Sequence, residues 1–223
     1  MEYVDLARAE SERGELVLRE RRDENAPPVL ELRANGLFVM DTLETSSERA
    51  LATEALALVE HPTHVLVGGL GLGYTMHEVL ADSRVEQCTV VEIEQALVDW
   101  MRDGTVPNGA QLLADDRVQV RVADVADALR EAPGPTYDLV LLDVDNGPGN
   151  LVHQHNAALY RTDVLGHARA ALHPGGVLAV WSADRAPGLQ DAMREVFGNG
   201  AESSYDVALQ QRSEQYHLYA STR

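Results

Sequence analysis

The chain has 223 residues, 45% of them hydrophobic and 24% charged, enough for one large domain or one domain with a small appendage. Its net charge of −18 would repel nucleic-acid phosphates and anionic membranes over most of the surface, which argues against both as partners and is compatible with a small cationic acceptor. No run approaches the roughly 18 apolar residues of a membrane span, the acidic start "MEYVDLARAESERGE" lacks the apolar core of a secretory signal, and the lone Cys88 reads as a small buried side chain in a cytoplasmic protein. Residues 15–42 alternate apolar and polar side chains, with Asn35-Gly36 as a hairpin turn, and predict a small β segment. Thr45 and Glu48 have capping-box spacing, the middle of the next segment is rich in Ala and Leu, and Pro62 ends it, which predicts a helix over about 46–60. From there short apolar runs, "HVLVGG", "QCTVVEIE", "VQVRVAD", "YDLVLLDVD" and "GGVLAVWS", alternate with amphipathic stretches. Continuous apolar strands separated by helices predict a parallel sheet covered on both faces. After the helical "DAMREVFG", "ESSYDVALQQRSEQYHLYAS" reads as two strands with no helix between them.

That order resembles the Rossmann-like class I methyltransferase fold: a mostly parallel seven-stranded sheet closed by an antiparallel hairpin. The predicted division is residues 1–45 for the β segment and 46–223 for the α/β body.

Three stretches of the body predict a nucleoside site. "GGLGLGYT" has no lysine and so is not a P-loop, and Tyr74 stands where a dinucleotide fingerprint needs its third glycine. Gly69, Gly71 and Gly73 instead form G-x-G-x-G, suited to close backbone approach by the sulfonium end of S-adenosylmethionine. Glu92 closes the next strand where a ribose diol would donate to a carboxylate, with Ile93 beside it for the adenine face. Asp124, after the third strand, is placed for an exocyclic amine. The fourth strand runs out into Asp143, Val144, Asp145 and Asn146, and strand ends of open α/β sheets face the ligand crevice. Asp143, Asp145 and Asn146 are therefore the predicted catalytic group, with Asp143 also touching the donor; paired carboxylates suit a sulfonium and an amine that must lose a proton before attack. Tyr74, Trp181 and Ser182 are candidates for the crevice mouth, and Trp100 for the core. His153 and His155 lack an accompanying ligand cluster, and no metal is expected.

With these residues in order, the chain resembles the spermidine/spermine synthase family over about residues 30–185. The resemblance implies an oligomer, a homodimer in the simplest case, that transfers an aminopropyl group from decarboxylated S-adenosylmethionine to a polyamine. It also implies ribose, adenine and crevice roles for Glu92, Asp124 and Asp143. Three features depart from the family pattern. Leu72 stands where the family loop carries an Asp that holds the donor's propylamine, the D-x-x-D-P-x-G-P stretch is shortened to "DVDNGP", and the Tyr-His-Glu segment is replaced by "ATEALALVEHP". On Leu72 the expectation is methyl transfer from intact S-adenosylmethionine to a small-molecule acceptor. Aminopropyl transfer is the first alternative and a non-catalytic nucleoside-binding module the second.

Overall fold

A computed structural model of the chain describes residues 2–144, 147–149, 151, 154–209 and 212–223. Four strands open it: β1 (Glu2–Ser11), β2 (Gly14–Asp23), β3 (Ala26–Ala34) and β4 (Leu37–Asp41). They form an antiparallel sheet in the order β1-β2-β3-β4. The N-terminal segment is thus a meander of four strands, larger than a hairpin, and β1 lies outside the 15–42 span read as β. Its residues are all exposed or half-buried, so it shows no apolar stripe to the sequence. Asn35, at φ 52°, makes the β3–β4 turn as its dipeptide predicts.

The α/β body begins with α1 (Ser46–Ala57) and continues β5 (His64–Gly68), α2 (Tyr74–Ala81), β6 (Gln87–Glu92), α3 (Gln95–Arg102), α4 (Gly109–Leu113), β7 (Val118–Val122), α5 (Val125–Arg130) and β8 (Tyr137–Leu142). A 3₁₀ turn over Gln154–Tyr160 leads to α6 (Thr162–Ala171), β9 (Leu172–Ser182), α7 (Pro187–Phe197), β10 (Ala201–Leu209) and β11 (Arg212–Thr222). The seven strands pair in the order β10-β11-β9-β8-β5-β6-β7. β5 to β9 run parallel, while β11 pairs antiparallel with both β9 and β10, as the helix-free C-terminal stretch predicts.

Strand alternation explains why the central runs are apolar throughout. Val65, Val67, Leu139 and Leu141 pack with Leu51, Met76, Val79 and Met101 of α1, α2 and α3. Leu66, Val140, Leu142 and Leu178 face the opposite way, onto Leu129, Leu165 and Met193 of α5, α6 and α7. Trp100 belongs to the first of these clusters, as expected. Leu16, Leu18, Leu32 and Met40 of the first sheet join that same cluster, which seats this sheet against the carboxyl ends of the parallel strands. β4 ends at Asp41 and α1 begins at Ser46. No helix among the described residues is long and apolar enough to cross a membrane.

Candidate functional site

The first sheet and the strand ends enclose a crevice with about 1210 Å³ of space, counting its open mouth. Apolar walls come from Leu16, Leu32, Phe38, Met40, Trp181 and Tyr216. Trp181 and Tyr216 meet edge to face with centroids 5.2 Å apart. Seven carboxylates line it, Asp41, Glu44, Glu48, Glu92, Glu94, Asp124 and Asp143, and among the described residues no Lys or Arg does.

The glycine loop supplies the floor. Gly69, Gly71 and Gly73 all have positive φ, of 98°, 51° and 88°. At Gly69 a Cβ would lie 2.1 Å from the Asp143 carbonyl oxygen, and at Gly71 2.7 Å from the Met40 sulfur, so both positions require glycine. Gly69 and Gly71 line the crevice. Gly73 does not: it starts α2 behind the crevice, with Met101 and Leu112 against its α-carbon.

Glu92, 7% exposed, holds the loop to the end of β6. The Leu70 N–H donates to its Oε2 at 2.9 Å and the Glu94 N–H to its Oε1 at 2.8 Å. Burial pushes its pKa up, and these backbone donors oppose the rise. Each oxygen keeps a lone pair, so the carboxylate can serve the loop and still accept from a diol. Ile93 lines the crevice beside it. Asp124 caps α5, accepting from the Ala126 N–H at 2.7 Å, and also lines the crevice.

Asp143 is brought to the opposite part of the floor by β8. Thr75, in the first turn of α2 and buried, donates its hydroxyl to Asp143 Oδ2 at 2.6 Å. Burial raises the Asp143 pKa despite that bond. Its electrostatic partner is Glu48, whose pKa is pushed up to about 7, first by burial and second by the Asp143 charge. Two carboxyls so placed do not both ionise readily, and the pair shares its titration. Asp145, Asn146 and His153 lie outside the described residues.

Glu48 is the residue the sequence reading placed elsewhere. The expected capping box does not form, because Thr45 makes no cap bond and Glu48 accepts from the Ser47 hydroxyl at 2.6 Å while lining the crevice. The available signal was the acid-rich junction "DTLETSSE" between an apolar strand and a helix, which delivers Asp41, Glu44 and Glu48 to one wall. Of the mouth candidates, Trp181 lines the crevice. Tyr74 lies instead beneath the Arg49 guanidinium, 5.0 Å from its ring centroid, and the Ser182 hydroxyl donates to the Asp184 carbonyl at 2.5 Å. Among the described residues there is no cluster of three or more His, Cys, Asp or Glu fit for a metal ion.

Fold and site together define a class I methyltransferase-type α/β protein with an acidic, aromatic-walled crevice at its strand ends. Residues 44–196 match the spermine/spermidine synthase domain. Polyamine aminopropyltransferase 1 of Hyperthermus butylicus is 30% identical over 182 residues, 77% of this chain and 61% of that protein. Spermine synthase of Arabidopsis thaliana is 30% identical over 135 residues, 60% of this chain and 36% of that protein. The chain thus spans between about a third and three fifths of the length of these relatives. Among solved structures, spermidine synthase in complex with the transition-state analogue AdoDATO superposes with a TM-score of 0.78 at 19% identity, covering 98% of this chain and 73% of that one. Spermidine synthase from Thermotoga maritima gives 0.77 at 18% identity, covering 98% and 72%. These structural likenesses carry the fold. The chain belongs to the spermine/spermidine synthase family.

The expectation of methyl transfer is corrected here. It rested on Leu72 occupying the donor site, but Leu72 is 4% exposed, packs in the core and does not line the crevice. The position therefore says nothing about which groups meet the donor, and the family matched is one of polyamine synthases.

Proposed function

We propose that the chain transfers an aminopropyl group from decarboxylated S-adenosylmethionine to a small cationic amine. The observation that carries this reading is the crevice lining: seven carboxylates, and no Lys or Arg among the described residues. Intact S-adenosylmethionine brings an α-carboxylate that such a lining repels. One carboxylate pair about 5 Å apart at an effective dielectric of about 20 is unfavourable by about 3 kcal/mol, on the order of a hundredfold in affinity. The decarboxylated donor lacks that group and keeps both its sulfonium and its ammonium cation.

In the proposed reaction Glu92 accepts from the ribose hydroxyls, Asp124 from the adenine amine, and Ile93 lies on the base. Gly69 and Gly71 admit the sulfonium end to the backbone. The acceptor nitrogen attacks the propyl carbon attached to sulfur; the C–S bond breaks toward sulfur, and methylthioadenosine leaves as a neutral thioether. The attacking amine must be unprotonated, and the Glu48–Asp143 pair, with Glu48 near neutrality, is suited to take its proton and to hold the cation beforehand. Asp145 and Asn146 remain candidates for the same end of the site. In this reading residues 1–45 form one unit and 46–223 another, with the crevice where they meet.

Calorimetry with decarboxylated S-adenosylmethionine, S-adenosylmethionine and methylthioadenosine tests the donor, and release of methylthioadenosine on adding a diamine or triamine tests the transfer. Preference for the decarboxylated donor, with amine-dependent thioether release, is expected. Tighter binding of the intact donor, or a methylated product, refutes the reading.

A further inference from the structure

The crevice carboxylates are not all equally free. Among the described residues, Glu48, Glu44, Glu92, Asp124 and Asp143 pair with no arginine, whereas Asp41 faces Arg21 of β2 at 3.5 Å and Glu94 is held by Arg13. Arg13 sits in the turn between β1 and β2. Its Nε donates to Glu94 Oε1 at 2.7 Å, and its Nη2 donates to Glu94 Oε2 at 3.3 Å and to the Ile93 carbonyl at 2.9 Å. The Ser11 hydroxyl adds a bond to Glu94 Oε1 at 3.3 Å. A planar fork reaching both oxygens of a carboxylate and a neighbouring carbonyl fixes direction as well as charge.

The turn itself is anchored. Asn35 Nδ2 donates to the Arg13 carbonyl at 3.0 Å, and Asn35 Oδ1 accepts from the Glu15 N–H at 2.9 Å. Asn35 Oδ1 occupies the space a Cβ at Gly14 would need, 1.8 Å away. Beyond Glu94 the line continues, since its N–H donates to Glu92 and Glu92 accepts from Leu70 of the glycine loop. One run of polar contacts thus joins the outer turn of the first sheet to three residues at the nucleoside end, Ile93, Glu94 and Glu92. Glu94, only 12% exposed at its side chain, would otherwise leave a charge facing a neutral nucleoside.

We infer that Arg13 is a positioning residue for donor binding: it latches the β1–β2 turn over the nucleoside end and holds Ile93 and Glu94 in place, while neutralising Glu94. The positive groups of the ligands are left to the unpaired acids around Glu48 and Asp143. This rests on the nucleoside-site reading given above, but not on which alkyl group is transferred.

The test uses the purified 223-residue chain and methylthioadenosine as the calorimetric probe. Arg13→Ala is expected to raise the dissociation constant at least tenfold and the donor KM in parallel, with kcat and the acceptor KM within about twofold. Arg13→Lys, which restores the charge without the fork, is expected to recover only part of the loss. In a Glu94→Gln background the Arg13→Ala effect should shrink at least threefold. Arg8→Ala is the control for general damage to the first sheet, because among the described residues Arg8 pairs with Asp5 and Glu15 and not with a crevice residue; it should leave binding unchanged. Arg13→Ala binding within twofold of wild type, or a loss matched by Arg8→Ala, overturns the inference. So does a fall in kcat with donor binding intact. A wild-type chain that binds no thioether nucleoside overturns this inference and the proposed function together. A preference for intact S-adenosylmethionine, with Arg13→Ala still weakening the probe, refutes aminopropyl transfer alone and supports the latch.

Discussion

Replacing Glu48 by glutamine removes a charge that the fold disfavours while keeping the side chain's shape. In the folded chain Glu48 titrates near 7, against an ordinary value of 4.5, because it is buried and sits beside Asp143. Between those two values the native state binds more protons than the unfolded chain, so stability falls as pH rises through the window and the full penalty is present above about pH 7. A rise of that size corresponds to at most about 3 kcal/mol, reduced where both carboxyls share the effect. Glu48→Gln should therefore be more stable than wild type at pH 8.5, by about 1 to 3 kcal/mol, and near wild type at pH 4.5, where Glu48 is protonated in the native state. Urea unfolding at the two pH values measures this difference directly. The same variant should lose most amine-dependent methylthioadenosine release, because the amine's proton acceptor and counter-charge are gone, while affinity for methylthioadenosine stays within about threefold. A variant less stable than wild type at pH 8.5, or one whose stability difference does not depend on pH, would refute the burial-and-repulsion argument. A gain in stability with full turnover would keep that argument and remove Glu48 from the chemistry.

Glu92→Ala is expected to weaken methylthioadenosine binding by roughly 1–3 kcal/mol, the loss of one or two charged hydrogen bonds together with a loosened Leu70 N–H; calorimetry checks it, and unchanged affinity would take Glu92 out of the site. Leu72→Asp tests the corrected role of that position. Because Leu72 is buried in the core, an aspartate there should destabilise the chain by several kcal/mol and lower its melting temperature without improving donor affinity. A stable variant with tighter donor binding would return Leu72 to the site.

Much of the site was readable from the chain because it depends on short-range pattern. Where a strand stops and a helix starts is a local matter of apolar period and capping, and in a parallel sheet every strand end faces the same crevice. That is why Gly69, Gly71, Glu92, Ile93 and Asp124 could be assigned to it from order and spacing, and why Asp143 could be placed at the end of its apolar run. The fold class was readable for the same reason: the alternation of runs and amphipathic stretches, then two strands without a helix, admits few arrangements. What stayed hidden depended on contacts between distant segments. β1 buries no side chain fully and sets only the small Ala7 and Ala9 against the core, so it carries little period to read, and it is a strand because β2 pairs with it. Glu48 has the spacing of a cap, yet desolvation and the charge of Asp143 define its chemistry, and neither is visible along the helix. Leu72 and Gly73 sit in the loop's sequence but behind its surface, a matter of backbone direction at residues with positive φ. Arg13 meets Glu94 across 81 residues. Sequence by itself determined the alternation of strands and helices in the α/β body and where its strand ends converge. Tertiary structure alone decided which acids are buried together and which are neutralised, because desolvation and Coulomb interaction depend on what stands within a few ångströms and not on what lies nearby in the chain.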